Sequence, residues 1–191
     1  MDVRYKDDWS GKNDCSVLGK LKWDDDNLYL LAVVTDNVFC QEKSGSEMWS
    51  GDGIQFAFST AEDRNLSSGG SFTEFGLSKT PDGVQLFRFE SLSSAEKAMQ
   101  AESSTKLEKN VLVNNCECSV EKQDGKYVYR ARVPWSEILP GVTKIKDREL
   151  GFSMLVNDND GNGRGWLQFS DGIGQTKSAN LYSILNLSGG Q

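Results

Sequence analysis

The 191-residue sequence predicts an all-β protein, an antiparallel β-sandwich of jelly-roll or immunoglobulin-like type with about ten strands and one short helical excursion. Three observations predict it. Short runs of β-forming residues recur along the chain, separated by clusters of Gly, Asp, Asn and Ser. Three of the links between runs have the composition of tight turns. Outside Ala95 to Ala101, the sequence offers nothing longer than a single helical turn.

Cys15 to Trp23 carries β-formers, Asp24-Asp25-Asp26-Asn27 is a polar turn, and Leu28 to Thr35 is a near-continuous apolar strand, so the pair reads as a hairpin. A polar loop from Gln41 to Ser50 ends in Met48-Trp49. Ile54-Gln55-Phe56-Ala57-Phe58 alternates with period two, as a half-buried strand does. Phe72 to Leu77 and Val84 to Phe89 flank Thr80-Pro81-Asp82-Gly83, a second hairpin. Ser91 to Lys109 is polar and contains the short helix, an excursion rather than a domain boundary. Val111 to Val120 and Tyr127 to Val133 flank Gln123-Asp124-Gly125-Lys126, a third hairpin, with Tyr127, Tyr129, Ala131 and Val133 on one face. Pro134 to Leu139 makes a helical turn. Leu150 to Val156, Gly165 to Ser170 and Leu181 to Leu187 complete the strands.

Composition narrows the function. The net charge is −7 and the basic residues are scattered, which argues against nucleic acid and favours neutral ligands over strongly anionic ones. Histidine is absent, which removes the commonest general base and transition-metal ligand. The longest apolar run, Leu28 to Val34, is far short of a membrane span. Met1 is followed by Asp-Val-Arg rather than an apolar leader. The expectation is a single domain over residues 1–191, monomeric and excised from a larger multidomain protein. Cys15, Cys40, Cys116 and Cys118 contain no C-x-x-C pair, and both bridges and small buried thiols remain open.

Pyranose rings present apolar faces that stack on aromatic rings, so the context of each tryptophan bears on function. Trp23 and Trp135 stand at strand ends and read as core. Trp9 lies in a turn-rich entry segment with a structural role. Trp49 stands in a polar loop before Ser50-Gly51-Asp52-Gly53, where no regular element buries it, and reads as a binding residue. Trp166 and Phe169 are three apart and so occupy opposite faces of a strand; one faces a ligand at most. Asn157-Asp158-Asn159-Asp160-Gly161 has alternating oxygen ligands and a bend glycine, as at the start of a calcium loop, although plain turns share this composition. Asp52, Glu74, Glu90, Asp158 and Asp160 lie in no recognisable catalytic context.

Several phrases, taken in order, resemble the family 9 carbohydrate-binding modules and their sugar-binding relatives of the DOMON type. They are Leu21-Lys22-Trp23-Asp24-Asp25, Asn27-Leu28-Tyr29-Leu30, Val34-Thr35-Asp36 and Met48-Trp49-Ser50-Gly51-Asp52-Gly53-Ile54-Gln55-Phe56. Tyr129 to Trp135, Leu150-Gly151-Phe152, Val156 to Gly161, Phe169 and Leu181 to Leu185 follow. The resemblance implies a non-catalytic, calcium-stabilised sandwich, secreted or at the cell surface. It further implies covalent attachment to a polysaccharide-degrading enzyme such as a glycoside hydrolase. It implies a clamp of two aromatic rings on a polysaccharide or oligosaccharide, here Trp49 and Phe169, with Trp166 adjacent. Gln55 stands where the family has an acidic residue for sugar hydroxyls. The family arginine falls near Gly76, and Arg88 and Arg164 are the candidates to replace it. Asp158 and Asp160 are the expected Ca2+ ligands. The ligand expected is a neutral β-glycan, glucan or xylan. The rival is an interaction domain of the same fold without a sugar site.

Overall fold

The computed structural model describes residues 2–3, 9–60, 71–92, 107–141 and 148–188, and the short helix expected around Ala95 to Ala101 lies outside them. Two antiparallel sheets face each other. The larger contains β1 (Asp2–Val3), β4 (Gly53–Thr60), β5 (Thr73–Thr80), β6 (Gly83–Glu90), β7 (Val111–Leu112), β10 (Glu149–Asn159), β11 (Arg164–Gln168) and β12 (Ser183–Asn186). Its order is β1-β11-β10-β4-β5-β6-β7, with β12 also paired to β10. The smaller contains β2 (Cys15–Trp23), β3 (Asn27–Asp36), β8 (Glu117–Gln123) and β9 (Lys126–Pro134) in the order β2-β3-β9-β8.

The three hairpins read from the sequence are present: β2 with β3, β5 with β6, and β8 with β9. Asp124 and Gly125 at the last turn both adopt positive φ, the conformation that an Asp-Gly pair supplies at low cost. One expected strand is two. The run from Val111 divides because β7 ends on β6 of the larger sheet, whereas β8 pairs β9 of the smaller. Val113 still donates its amide to the Leu86 carbonyl, and the chain then bends through Asn115 and Cys116 to cross between the sheets.

Strict alternation on β3 aims Leu28, Leu30, Ala32 and Val34 into the core. They meet Ile54, Phe56 and Phe58 of β4, Phe75 and Leu77 of β5, and Met154 and Val156 of β10. Trp135, in the helical turn α1 (Trp135–Ile138), closes one end and donates Nε1 to the Asp24 carbonyl. Trp9 and Trp23 pack against the same core. All four cysteines are thiols.

Every residue of β4 is buried, which a strand with one solvated face does not achieve. The outer face of the larger sheet is covered by the segment from Ile173 to Tyr182. There Ile173, Ala179 and Tyr182 form a second apolar cluster with Ala57, Leu155 and Trp166. This covering segment builds one wall of the site below.

Candidate functional site

The site lies on the outer face of the larger sheet, in a cavity of about 340 Å3 lined by Trp49, Gln55, Glu74, Arg164, Gly174 and Lys177, among others. That volume is near the lower end for small-molecule pockets, ~300–1,000 Å3, and suits one or two sugar rings rather than a long chain.

Trp49 is presented by a 3-10 turn, Gly45–Ser50, and is 45% exposed, while its neighbour Met48 is buried beneath. Two side chains tie down the turn and the residues that follow it. Gln41 Nε2 donates to the Met48 and Asp52 carbonyls at 2.9 and 2.8 Å, and Asn159 Nδ2 donates to the Ser50 carbonyl at 2.9 Å. An exposed indole on a rigid support suits ligand stacking, because little side-chain entropy remains to be lost.

Period two on β11 sends Trp166 to the outer face, where its Nε1 donates to Gln168 at 3.2 Å. The Gly174 backbone lies against this indole: a Cβ at position 174 would stand 2.4 Å from Trp166 Nε1. Gly174→Ala is therefore expected to push the indole out of place and to cost about 1–3 kcal/mol of stability. Thermal melts read the cost, and sugar titration reads the displaced ring.

Between the tryptophans lies Arg164. Its guanidinium carbon is 5.2 Å from the Trp49 ring centroid and 4.7 Å from that of Trp166. Nε donates to Asn157 Oδ1 at 2.6 Å and Nη2 to Gln55 Oε1 at 3.3 Å. Burial pushes the guanidinium down to about 10, offset in part by the negative charge of Glu74.

Gln55 is 3% exposed, and its amide is largely committed. Its oxygen accepts from Asn157 and Arg164, and its nitrogen donates to Glu74 Oε1 at 2.7 Å. Glu74 is wholly buried and receives Lys177 Nζ at 2.6 and 2.7 Å. Burial raises the Glu74 carboxyl and the Lys177 ammonium opposes the rise. Gln55 thus positions its neighbours, and the groups with N–H bonds to spare are Arg164 and Lys177.

The structure brings Trp49, Gln55, Arg164 and Trp166 together and places Phe169 and Arg88 elsewhere. The Phe169 ring stands 6.0 Å from Phe152 on the opposite face, lining an apolar groove with Leu18 and Ile184. The odd spacing from Trp166 is the cause. Arg88 points inward, ion-paired with Glu137 and 5.6 Å from the Phe75 ring centroid. Gly76 has no room for an arginine, since a Cβ there would meet Phe89 Cε2 at 2.6 Å. Glu74, Lys177 and Asn157 escaped sequence reasoning as site residues; the period-two register of Gln55 could have flagged Asn157 and Glu74 as same-face neighbours, but nothing local marks Lys177.

On the inner face, at the same end, Asp36, Asp52 and Asp158 bring carboxylate oxygens within 4.8 Å of one another, all buried. Asp36 comes from the smaller sheet and Asp158 from the larger, so the cluster bridges the sandwich. Asp52 accepts the amides of Cys40 and Asn159, and Asp36 that of Val38 at 2.9 Å. Burial, and then the like charges, push Asp36 up to about 7 and Asp52 up to about 8. A set of hard carboxylate oxygens is what a divalent cation such as calcium takes. The expected Asp158 is in this cluster. Asp160 stands in the following loop, where its charge adds to the rise at Asp36.

A sandwich with a cavity on one sheet that joins an exposed indole to a polar floor has the form of a ligand-binding domain. The chain matches the family described as "Carbohydrate family 9 binding domain-like" over residues 2–190. It belongs to that family of non-catalytic carbohydrate-binding modules. The fold is similar to that of a family 9 module from Caldicellulosiruptor kristjanssonii in complex with cellotriose. That likeness has a TM-score of 0.63 at 18% identity, covering 99% of this chain and 82% of that one. For the complex with glucose the values are 0.58 and 17%, with 95% and 81% covered. A Bacteroides uniformis protein, provisionally assigned as carbohydrate-binding, gives a TM-score of 0.65 at 10% identity, with 97% and 83% covered. No curated protein matches the chain.

Proposed function

We propose that the cavity beside Trp49 holds one or two sugar units of a β-glycan, with a glucan or xylan backbone, and that the module tethers an attached polysaccharide-degrading enzyme to it outside the cell. The observation that carries this reading is Trp49, 45% exposed, beside a cavity lined by the polar groups of Gln55, Glu74, Arg164 and Lys177. The Trp49 indole takes an apolar face of a pyranose and Arg164 and Lys177 donate to its hydroxyls, with no covalent change. The relatives seen with cellotriose and glucose support the ligand class. Tethering gives a passive binder its use, because a linked enzyme gains effective concentration at the polymer.

Calcium belongs to the same proposal. Asp36, Asp52 and Asp158 would hold it, and its charge would offset three buried carboxylates that otherwise repel one another. It would stand behind the sheet rather than in the sugar cavity.

Titration with cello-, xylo-, manno- and laminari-oligosaccharides, followed by tryptophan fluorescence, tests the site. Saturable quenching with one series, lost in Trp49→Ala, is the expected result. A flat response to every series from folded, calcium-loaded protein would remove the site and favour the interaction domain. Phe169→Ala serves as the internal control: it is expected to leave the sugar affinity unchanged and to alter stability by less than about 1 kcal/mol.

A further inference from the structure

Arg164 is a cation held inside the cavity without an anion. Its described partners are two amide oxygens and two indole faces, which solvate the charge but do not neutralise it. Among the described residues it makes no ion pair. The other charges around the cavity are matched. Lys177 is bound to both oxygens of Glu74. Glu90, at the rim, pairs with Lys109 at 3.4 Å. Arg164 is therefore the lining charge with no ion pair of its own, and its Nη1 and part of Nη2 carry no hydrogen bond to the described protein. Taking a guanidinium out of water is costly unless an opposite charge meets it, and a carboxylate meets it best, through two parallel N–H bonds.

Resting on the sugar-binding reading above, we propose that this module prefers a glycan end or branch bearing a uronic acid, whose carboxylate binds Arg164 while its pyranose ring stacks on Trp49. The carboxylate of a uronic acid is attached directly to the ring, so it lies at the ring's edge. Arg164 lines the cavity beside Trp49, its guanidinium carbon 5.2 Å from that ring's centroid, within reach of the edge of a sugar stacked there. The net charge of −7 opposes an anionic ligand only at long range, where salt screens it. Inside the cavity the unmatched guanidinium decides. A neutral backbone sugar still stacks, and binds more weakly.

The test compares a glucuronic-acid-terminated xylo-oligosaccharide with its methyl ester, which keeps the shape and removes the charge, alongside unsubstituted xylobiose and cellobiose. Isothermal titration of the wild-type protein is expected to show the acid binding about tenfold or more tighter than the ester. Raising the ionic strength should narrow that ratio. Arg164→Gln, checked for folding by its melting curve, should bring the ratio close to one. Acid and ester binding equally, or the ester binding tighter, would overturn the uronate preference and leave the sugar-binding reading standing. Binding of none of these sugars would overturn that reading and the preference together. The wild-type ratio decides the matter even where the variant fails to fold.

Discussion

Replacing Trp49 by alanine is expected to weaken oligosaccharide binding at least ~30-fold, the effect of losing about 2 kcal/mol at an aromatic hot spot. The indole is 45% exposed and packs over a fixed turn, so its removal costs little folding energy and deletes one wall of the cavity. Trp166→Ala should weaken binding less, through loss of its support for Arg164, and lower stability more, because that ring packs with Ile173 and the covering segment. A melting curve beside each titration separates the two. Near-wild-type affinity in folded Trp49→Ala would mean that sugar, if bound at all, binds elsewhere.

Calcium should stabilise the protein, and more so at pH 8 than at pH 5. At a hundredfold excess over its dissociation constant it contributes about 2.7 kcal/mol. For a chain of this length that raises the melting temperature by ~5–10 °C. The sign with pH follows from the carboxyls. Asp36 and Asp52 titrate near 7 and 8 in the fold, above the ordinary 3.8. A raised folded-state value means that stability is fully present below the unfolded pKa. It is lost as pH rises through the folded one. Metal-free protein should thus lose melting temperature between about pH 4 and 8. Calcium, which needs deprotonated ligands, should cancel that loss and do little at pH 5. Scanning calorimetry with and without chelator, repeated on Asp52→Asn, measures both. Equal melting temperatures with calcium and chelator at pH 8 would remove the metal from the account.

Sequence alone determined the hairpins, the alternating strands and the two-sheet class, because these rest on local turn chemistry and a period of two. It also singled out Trp49, because a polar segment offers an indole nothing to pack against. Tertiary structure decided the rest. Odd spacing showed that Trp166 and Phe169 point apart, but not which one faces the cavity; that depends on the larger sheet's outer side being the one that faces Trp49. Asp36, Asp52 and Asp158 carry no common local signal, and a carboxylate cluster forms only when both sheets close on each other. Lys177 reaches Glu74 only because the segment after β11 folds back over the sheet. Such partners are set by long-range packing, where burial energy summed over many contacts overrides what any short stretch of residues can encode.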